Sequence, residues 1–205
     1  MDSGGILLLG GTFDPIHHGH LIMARAAAER LNTLKVILIP SAQPPHKANL
    51  AISAAEDRLE MARRAIQEEP LFEVSDCELK RPGPSFTLET VRYFHQQYPQ
   101  NQLYWLIGAD SISELAGWYH IEQLADECLI VTAARPGFNP QDNQALKSML
   151  TDPQMQRLRQ NILATPQVDI SATQIRRRIR QNQSVRYLTP PAVIDYIKHQ
   201  HLYSS

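Results

Sequence analysis

The densest run of residues able to do chemistry is Gly10-Gly11-Thr12-Phe13-Asp14-Pro15-Ile16-His17-His18-Gly19-His20. It lies between an apolar run, Ile6–Leu9, and an alanine-rich stretch, Leu21–Leu31, where a first strand ends and a helix begins. Two adjacent glycines let the backbone turn tightly and bring bare N–H groups against a ligand. The N-terminus of the next helix adds a partial positive charge, so the place suits phosphate. Neither of the familiar phosphate loops, GxxxxGK followed by Ser or Thr and GxGxxG, is present. His17 and His20 are three apart and project from neighbouring positions on one face of the helix start. Three uses of the pair stand open. Zinc ligation would need further ligands, and no nearby Cys or acidic pair supplies them. Packing into the structure is the second, and hydrogen-bond donation to a phosphoryl group is the third.

A second cluster begins at Ser171. Ser171 and Gln174 have capping-box spacing, which predicts a helix over Ala172–Asn182 with Ser171 as its N-cap. Arg176 through Arg178 would then fall in the first two turns, where cations oppose the helix dipole. A bound anion would remove the conflict, met by Ser171, Thr173 and Arg176 and by the N–H groups of that turn. The alternative is an ordinary capped helix with its arginines in water. From Arg157 to Arg186 there are seven arginines against the single acid Asp169, a local field suited to a small polyanion or to a solvated basic face. Elsewhere, Asp110 in Gly108-Ala109-Asp110-Ser111 can accept from ribose hydroxyls or cap a helix over Ser111–Leu115. Lys47, after Pro44-Pro45, is a candidate phosphate contact. Arg135, before Pro136-Gly137, is a weaker one, since such an arginine is often just a turn residue. Trp118, beside Tyr119, reads first as a tryptophan packed under a loop.

The elements that must position these groups can be read from hydrophobic patterning. Strands are expected at Ile6–Leu9, Lys35–Pro40, Phe72–Ser75, Leu103–Ile107, Cys128–Thr132 and Ile162–Ala164, several of them apolar on consecutive residues as in parallel sheets covered on both faces. Helices are expected at Leu21–Leu31, Ala54–Gln67 (Ser53 and Glu56 in capping-box spacing), Leu88–Tyr98 and Ala172–Asn182. The alternation predicts an α/β fold: a doubly wound, mainly parallel, Rossmann-like sheet with helices on both faces and a helical C-terminal segment. If the first and fourth strands flank the point where strand order reverses, Gly10–His20 and Gly108–Ser111 face one crevice. Arg135–Asp152, polar and broken by Pro136, Gly137 and Pro140, reads as a surface excursion. The 205 residues, 43% hydrophobic and 20% charged, suit one domain over 1–205 and exclude a disordered or collagen-like chain. Apolar runs of about four residues are too short for a bilayer span. Two cysteines without CxxC spacing and no positive charge ahead of the first apolar run point to a cytoplasmic protein. A net charge of −1 argues against nucleic acid as a partner, and a homo-oligomer is left open.

GGTFDPIHHGH resembles the GxFxPxHxGH signature of the HxGH nucleotidylyltransferases. More narrowly, the chain is similar to the bacterial nicotinate-mononucleotide adenylyltransferases. The similarity runs from Gly10 to Tyr203 and includes Pro44-Pro45-His46-Lys47, Pro84-Ser85-Phe86-Thr87, Gly108-Ala109-Asp110-Ser111, Trp118-Tyr119, Arg135-Pro136-Gly137 and Ile170–Arg176. Ala172 departs from the serine of many relatives, while Ser171 and Thr173 keep the helix-start hydroxyls. The resemblance implies transfer of the adenylyl group of ATP to nicotinate mononucleotide, with Mg²⁺ carried on the nucleotide and no metal held by the chain. It implies His17, His20 and Arg176 as catalytic groups, and ATP contacts from Gly10, Gly11, Thr12, Phe13, Gly108, Asp110, Ser171 and Thr173. Lys47, Thr87, Trp118, Tyr119 and Arg135 would serve the second substrate. Trp118 would stack on the pyridine ring, and backbone N–H groups near Thr87 and Tyr119 would hold the carboxylate. The alternatives are a sibling enzyme using nicotinamide mononucleotide or another phosphorylated acceptor such as phosphopantetheine, and a non-catalytic nucleotide-binding module.

Overall fold

All of Ile6–Leu9 is buried, with Ile6 and Leu8 packed on one face of a sheet and Leu7 and Leu9 on the other. A strand apolar on every residue can only sit between two covering layers, because successive side chains point to opposite faces. This strand, β1 (Ile6–Gly11), is the centre of the fold. The computed structural model describes residues 4–42, 52–134 and 143–204. Within them the other strands are β2 (Lys35–Pro40), β3 (Phe72–Val74), β4 (Leu103–Gly108), β5 (Leu129–Ala134) and β6 (Ile162–Ala164). Their order is β3-β2-β1-β4-β5-β6, and every neighbouring pair is parallel. The chain builds outward from β1 through β2 and β3, then returns to the far side of β1 to lay down β4, β5 and β6. Strand order therefore reverses between β1 and β4, where open α/β sheets place their ligands.

One face is covered by α1 (His18–Leu31), α2 (Ala55–Ala65) and α9 (Pro191–His199), the other by α4 (Thr87–Gln97), α5 (Ile121–Glu127), α6 (Gln144–Met149) and α7 (Asp152–Gln160). The short α3 (Cys77–Lys80) precedes α4, and α8 (Ala172–Arg180) precedes α9. In α1 the buried positions are Ala24, Ala27 and Ala28, small side chains that let the helix lie close on the sheet. Asn32, left-handed at φ 49°, ends it.

Three sequence expectations are corrected. Ser53 does not cap α2: Ala54 holds the cap position, without a side-chain hydrogen bond. Ser53 is occupied elsewhere, its N–H reaching the Asp14 carboxylate at 3.4 Å and its carbonyl accepting from Arg58 Nε at 3.0 Å. Residues 135–142 of the expected surface excursion lie outside the described residues, but its second half forms α6, whose Leu146 and the adjoining Leu150 belong to the core. A six-residue helix with so little apolar content gives no periodicity to read. Finally, α8 ends at Arg180, so Arg177, Arg178 and Arg180 lie in its last turn, where the dipole favours cations. The conflict expected from helix polarity is absent. Ser171 is the N-cap and accepts from Gln174 N at 3.2 Å, which is the forward half of the expected box.

Leu146 is fully buried, so Leu146→Ala should destabilise the fold by about 2–5 kcal/mol through lost burial and the cavity left behind. Urea denaturation of the variant measures this. A change within about 0.5 kcal/mol, typical of surface sites, would return the segment to the surface.

Candidate active site

β1 ends in Gly10 and Gly11, and the loop after them is fixed by steric fit. A Cβ on Gly10 would lie 2.6 Å from the ring of Trp105, so only glycine allows the strand to cross the β4 tryptophan. Phe13 adopts a left-handed φ of 50° and is buried, the Asp14–Pro15 bond is cis, and Ile16 is fully buried. The loop is thus packed down before His17 opens α1 as its extended N-cap residue. His17 and His20 stack, with ring centroids 3.6 Å apart and planes at 21°. His17 N–H donates to His20 Nδ1 at 3.2 Å, which in a neutral His20 ring puts the proton on Nε2 as a donor. His17 Nδ1 is buried and has no hydrogen-bond partner among the described residues. Gly19 makes room for this ring, since a Cβ there would lie 3.0 Å from Nδ1.

α8 brings the second cluster onto this loop. Arg176 Nη1 donates to the Asp14 carbonyl at 2.6 Å and stands 3.9 Å from Asp14 Oδ2, while Nη2 reaches Thr173 Oγ1 at 3.3 Å. Arg176 therefore has a built partner 162 residues away. Asp14, which the sequence did not single out, is the meeting point. Its buried carboxylate also accepts from the Tyr203 hydroxyl at 2.6 Å and from Ser53 N–H. Burial and the adjacent carboxylate together push the Tyr203 hydroxyl pKa upward.

Arg58 was missed as well, and it is 1% exposed. Its guanidinium donates to the carbonyls of Thr12 (2.8 Å), Ser41 (2.7 Å) and Ser53 (3.0 Å). Burial lowers its pKa and the charge of Asp14 works against that, so the cation is held by backbone dipoles and a nearby acid. No local signal marks it: in the sequence it is one more polar residue on an amphipathic helix.

Across the switch point, Gly108 ends β4 and a 3₁₀ turn, Ala109–Ser113, comes next. The cap position belongs to Gly108, so Asp110 is not the N-cap that one reading of the sequence made it. Asp110 is exposed and lines a 350 Å³ cleft together with Gly19, Met23, Ala133, Ala134 and residues 165–169. Patterning alone assigned no role to 165–169. On the far side, Tyr119 stacks on Phe86 with centroids 4.3 Å apart and planes at 18°. That contact sets Tyr119 beside Thr87, the first residue of α4. Trp118 packs against the core, and its buried Nε1 has no partner among the described residues. Lys47 and Arg135 lie outside the described residues.

The structure therefore brings together Gly10–His20, Thr173 and Arg176 on one side, Gly108 and Asp110 beside them, and Thr87 with Trp118–Tyr119 as a separate group. A family model described as cytidylyltransferase-like matches residues 8–178. Over 198 residues the chain is 42% identical to a protein of Synechococcus sp. (strain JA-3-3Ab) named as a probable nicotinate-nucleotide adenylyltransferase, covering 96% of this chain and 93% of that one. A protein of the same name from Moorella thermoacetica is also 42% identical, covering 98% of this chain and 92% of that one. Among solved structures, the Plasmodium falciparum nicotinic acid mononucleotide adenylyltransferase complexed with NaAD superimposes with a TM-score of 0.74 at 17% identity, over 98% of this chain and 97% of that one; at that identity it speaks for the fold. With this fold and this match along nearly its whole length, the chain belongs to the cytidylyltransferase-like family and, within it, to the nicotinate-nucleotide adenylyltransferases.

Proposed function

We propose that residues 1–205 form one nucleotidylyltransferase domain that transfers the adenylyl group of ATP to nicotinate mononucleotide, giving deamido-NAD and pyrophosphate. The observation that carries this reading is the docking of Arg176, steadied by Thr173, on Asp14, which fixes a cation on the loop that carries the stacked histidines. A phosphate oxygen of the mononucleotide attacks the α-phosphorus of ATP in line, and the bond from that phosphorus to the bridging oxygen of the β-phosphate breaks. The nucleophile is already anionic near neutrality, since phosphate monoesters lose their second proton near pH 6. No general base is required. What the protein supplies is position and charge stabilisation.

In this reading the backbone of Gly10, Gly11, Thr12 and Phe13 tracks the triphosphate, with Ser171 and Thr173 adding hydroxyls. Gly108 and Asp110 serve the ribose end. His20 donates from Nε2, and Arg176 supplies a positive charge. Burial, helped by His18, lowers the His17 pKa from 6.5 to about 4, so at neutral pH His17 acts as a neutral ring. Mg²⁺ borne on ATP would supply charge neutralisation to the phosphates. Among the described residues no group of three or more His, Cys, Asp or Glu side chains is placed to hold a metal ion. No helix among the described residues is long and apolar enough to cross a membrane. Cys77 and Cys128 are both free thiols, the state a reducing compartment maintains, which supports the cytoplasm as the location of this enzyme.

Pyrophosphate release with each candidate acceptor tests the reading. If N–H groups near Thr87 and Tyr119 receive the carboxylate, nicotinate mononucleotide should exceed nicotinamide mononucleotide by at least about tenfold in kcat/KM, because a carboxamide turns a donor toward donors and leaves them unpaired. Equal use of the two would remove the carboxylate pocket, and release with neither would remove the transfer itself. His20→Ala should lower kcat by about 10²–10³ while the circular dichroism stays unchanged, as expected for a donor to growing charge. An unchanged kcat in the folded variant would take His20 out of the chemistry. The neutral His17 also makes stability depend on pH. Between pH 6.5 and about 4 an unfolded histidine binds a proton that the folded ring refuses, so stability is full above 6.5 and falls as pH drops, by roughly 3 kcal/mol at the limit. His17→Asn should shrink the loss in urea midpoint between pH 7 and pH 4.5, and an equal loss in variant and wild type would assign it to other groups.

A further inference from the structure

α3 and the start of α4 carry a buried polar cluster that the chemistry above does not use. Glu78 is 4% exposed. The Thr90 hydroxyl donates to its Oε1 at 2.6 Å, and the Ser85 hydroxyl hydrogen-bonds to the same carboxylate. Arg81 Nη2 donates to Thr90 Oγ1 at 3.1 Å and to the Phe86 carbonyl at 3.3 Å. Burial raises the carboxyl pKa, whereas both hydroxyls and Arg81 favour the ionised form.

The position of this cluster gives it meaning. The residues it grips, Ser85 and Phe86, immediately precede Thr87, and the Phe86 ring is the surface on which Tyr119 stacks. Ser85 Oγ also accepts from Ala42 N–H at 3.0 Å. The preceding residue, Ser41, donates its N–H to the Gly11 carbonyl at 2.9 Å and accepts from Arg58. A continuous line of hydrogen bonds therefore runs from the phosphate loop, through Ser41, Ala42 and Ser85, to Glu78. A carboxylate is acceptor-only. It turns both hydroxyl protons toward itself and leaves the oxygen of Thr90 for Arg81 and that of Ser85 for the Ala42 N–H. An amide at position 78 would keep one accepting oxygen and replace the other with a donor, and a hydrocarbon would keep neither.

We propose that Glu78 is a positioning residue for acceptor recognition: through Ser85 and Thr90 it fixes the Ser85–Thr87 segment against Tyr119 and at a set distance from the phosphate loop, so that it governs binding of nicotinate mononucleotide and not the transfer step. The proposal rests on the adenylyl-transfer reading, and its test separates the two. In the full chain, Glu78→Gln should raise KM for nicotinate mononucleotide by about tenfold or more, with kcat and KM for ATP within about threefold of wild type, the pattern of a lost ground-state contact. Its preference over nicotinamide mononucleotide should narrow. Thr90→Val should reproduce the rise, Thr90→Ser should not, and Glu78→Gln combined with Thr90→Val should exceed neither single variant by much, because the residues act as one unit. Three results overturn the proposal: an unmoved acceptor KM in folded Glu78→Gln or Thr90→Val, a fall in kcat and ATP use alongside a lowered Tm, or a chain that cannot fold without the cluster. Wild-type turnover of nicotinate mononucleotide is the control. Its absence removes the adenylyl-transfer reading and the role of Glu78 with it, whereas its presence beside an unmoved KM removes only the role of Glu78.

Discussion

A guanidinium taken out of water costs several kcal/mol unless hydrogen bonds and nearby charge replace its hydration. At Arg58 the replacements are three main-chain carbonyls and the field of Asp14. The carbonyls come from the Gly10–His20 loop, from the end of β2 and from the segment leading into α2. The bond to Ser41 is buried and the other two are partly buried, so cation and loops hold one another in place. The constraint is directional as well as energetic. A planar fork with fixed N–H vectors favours one arrangement of three stretches of backbone, and the Gly10–His20 loop inherits that arrangement.

From there, order spreads in two directions. Toward α8 and the C-terminus it passes through Asp14, which shares Ser53 with Arg58 and holds Arg176 and Tyr203. Toward α4 it passes through Ser41 and Ala42 to Ser85. The two sides of the proposed site are thus referenced to one buried cation rather than to each other. A transfer that depends on in-line geometry gains from such a common origin, because an error of about an ångström in the relative placement of reactants costs rate steeply.

The range of the forces involved decides how much of this was legible in the sequence. Two-sided burial leaves a mark on every residue of Ile6–Leu9 and Val36–Ile39, so the strands and the α/β alternation could be read directly. The phosphate loop and the Ser171–Arg176 turn are contiguous, and their glycines, histidines and cap residues act on near neighbours. Ser53 misled because its spacing to Glu56 satisfies a local rule while its hydrogen bonds are claimed by distant groups. Arg58, Tyr203 and Glu78 carry no local mark at all, and Asp14, though inside the Gly10–His20 run, carries no mark of its partners. Their meaning lies in pairs as far apart as the 189 residues separating Tyr203 from Asp14, and a single sequence does not encode distance in space.

The hydrogen bond between Tyr203 and Asp14 also has a consequence in time. Protein synthesis is vectorial, and domains begin to organise from the N-terminal side as they emerge. The last strand, β6, is complete at Ala164, yet Arg176 and Tyr203, both needed to hold Asp14, are made after it. A nascent chain can assemble all six strands while its Asp14 loop still lacks two of its fastenings. That loop is therefore made fast late, by residues added to a chain whose scaffold can already exist.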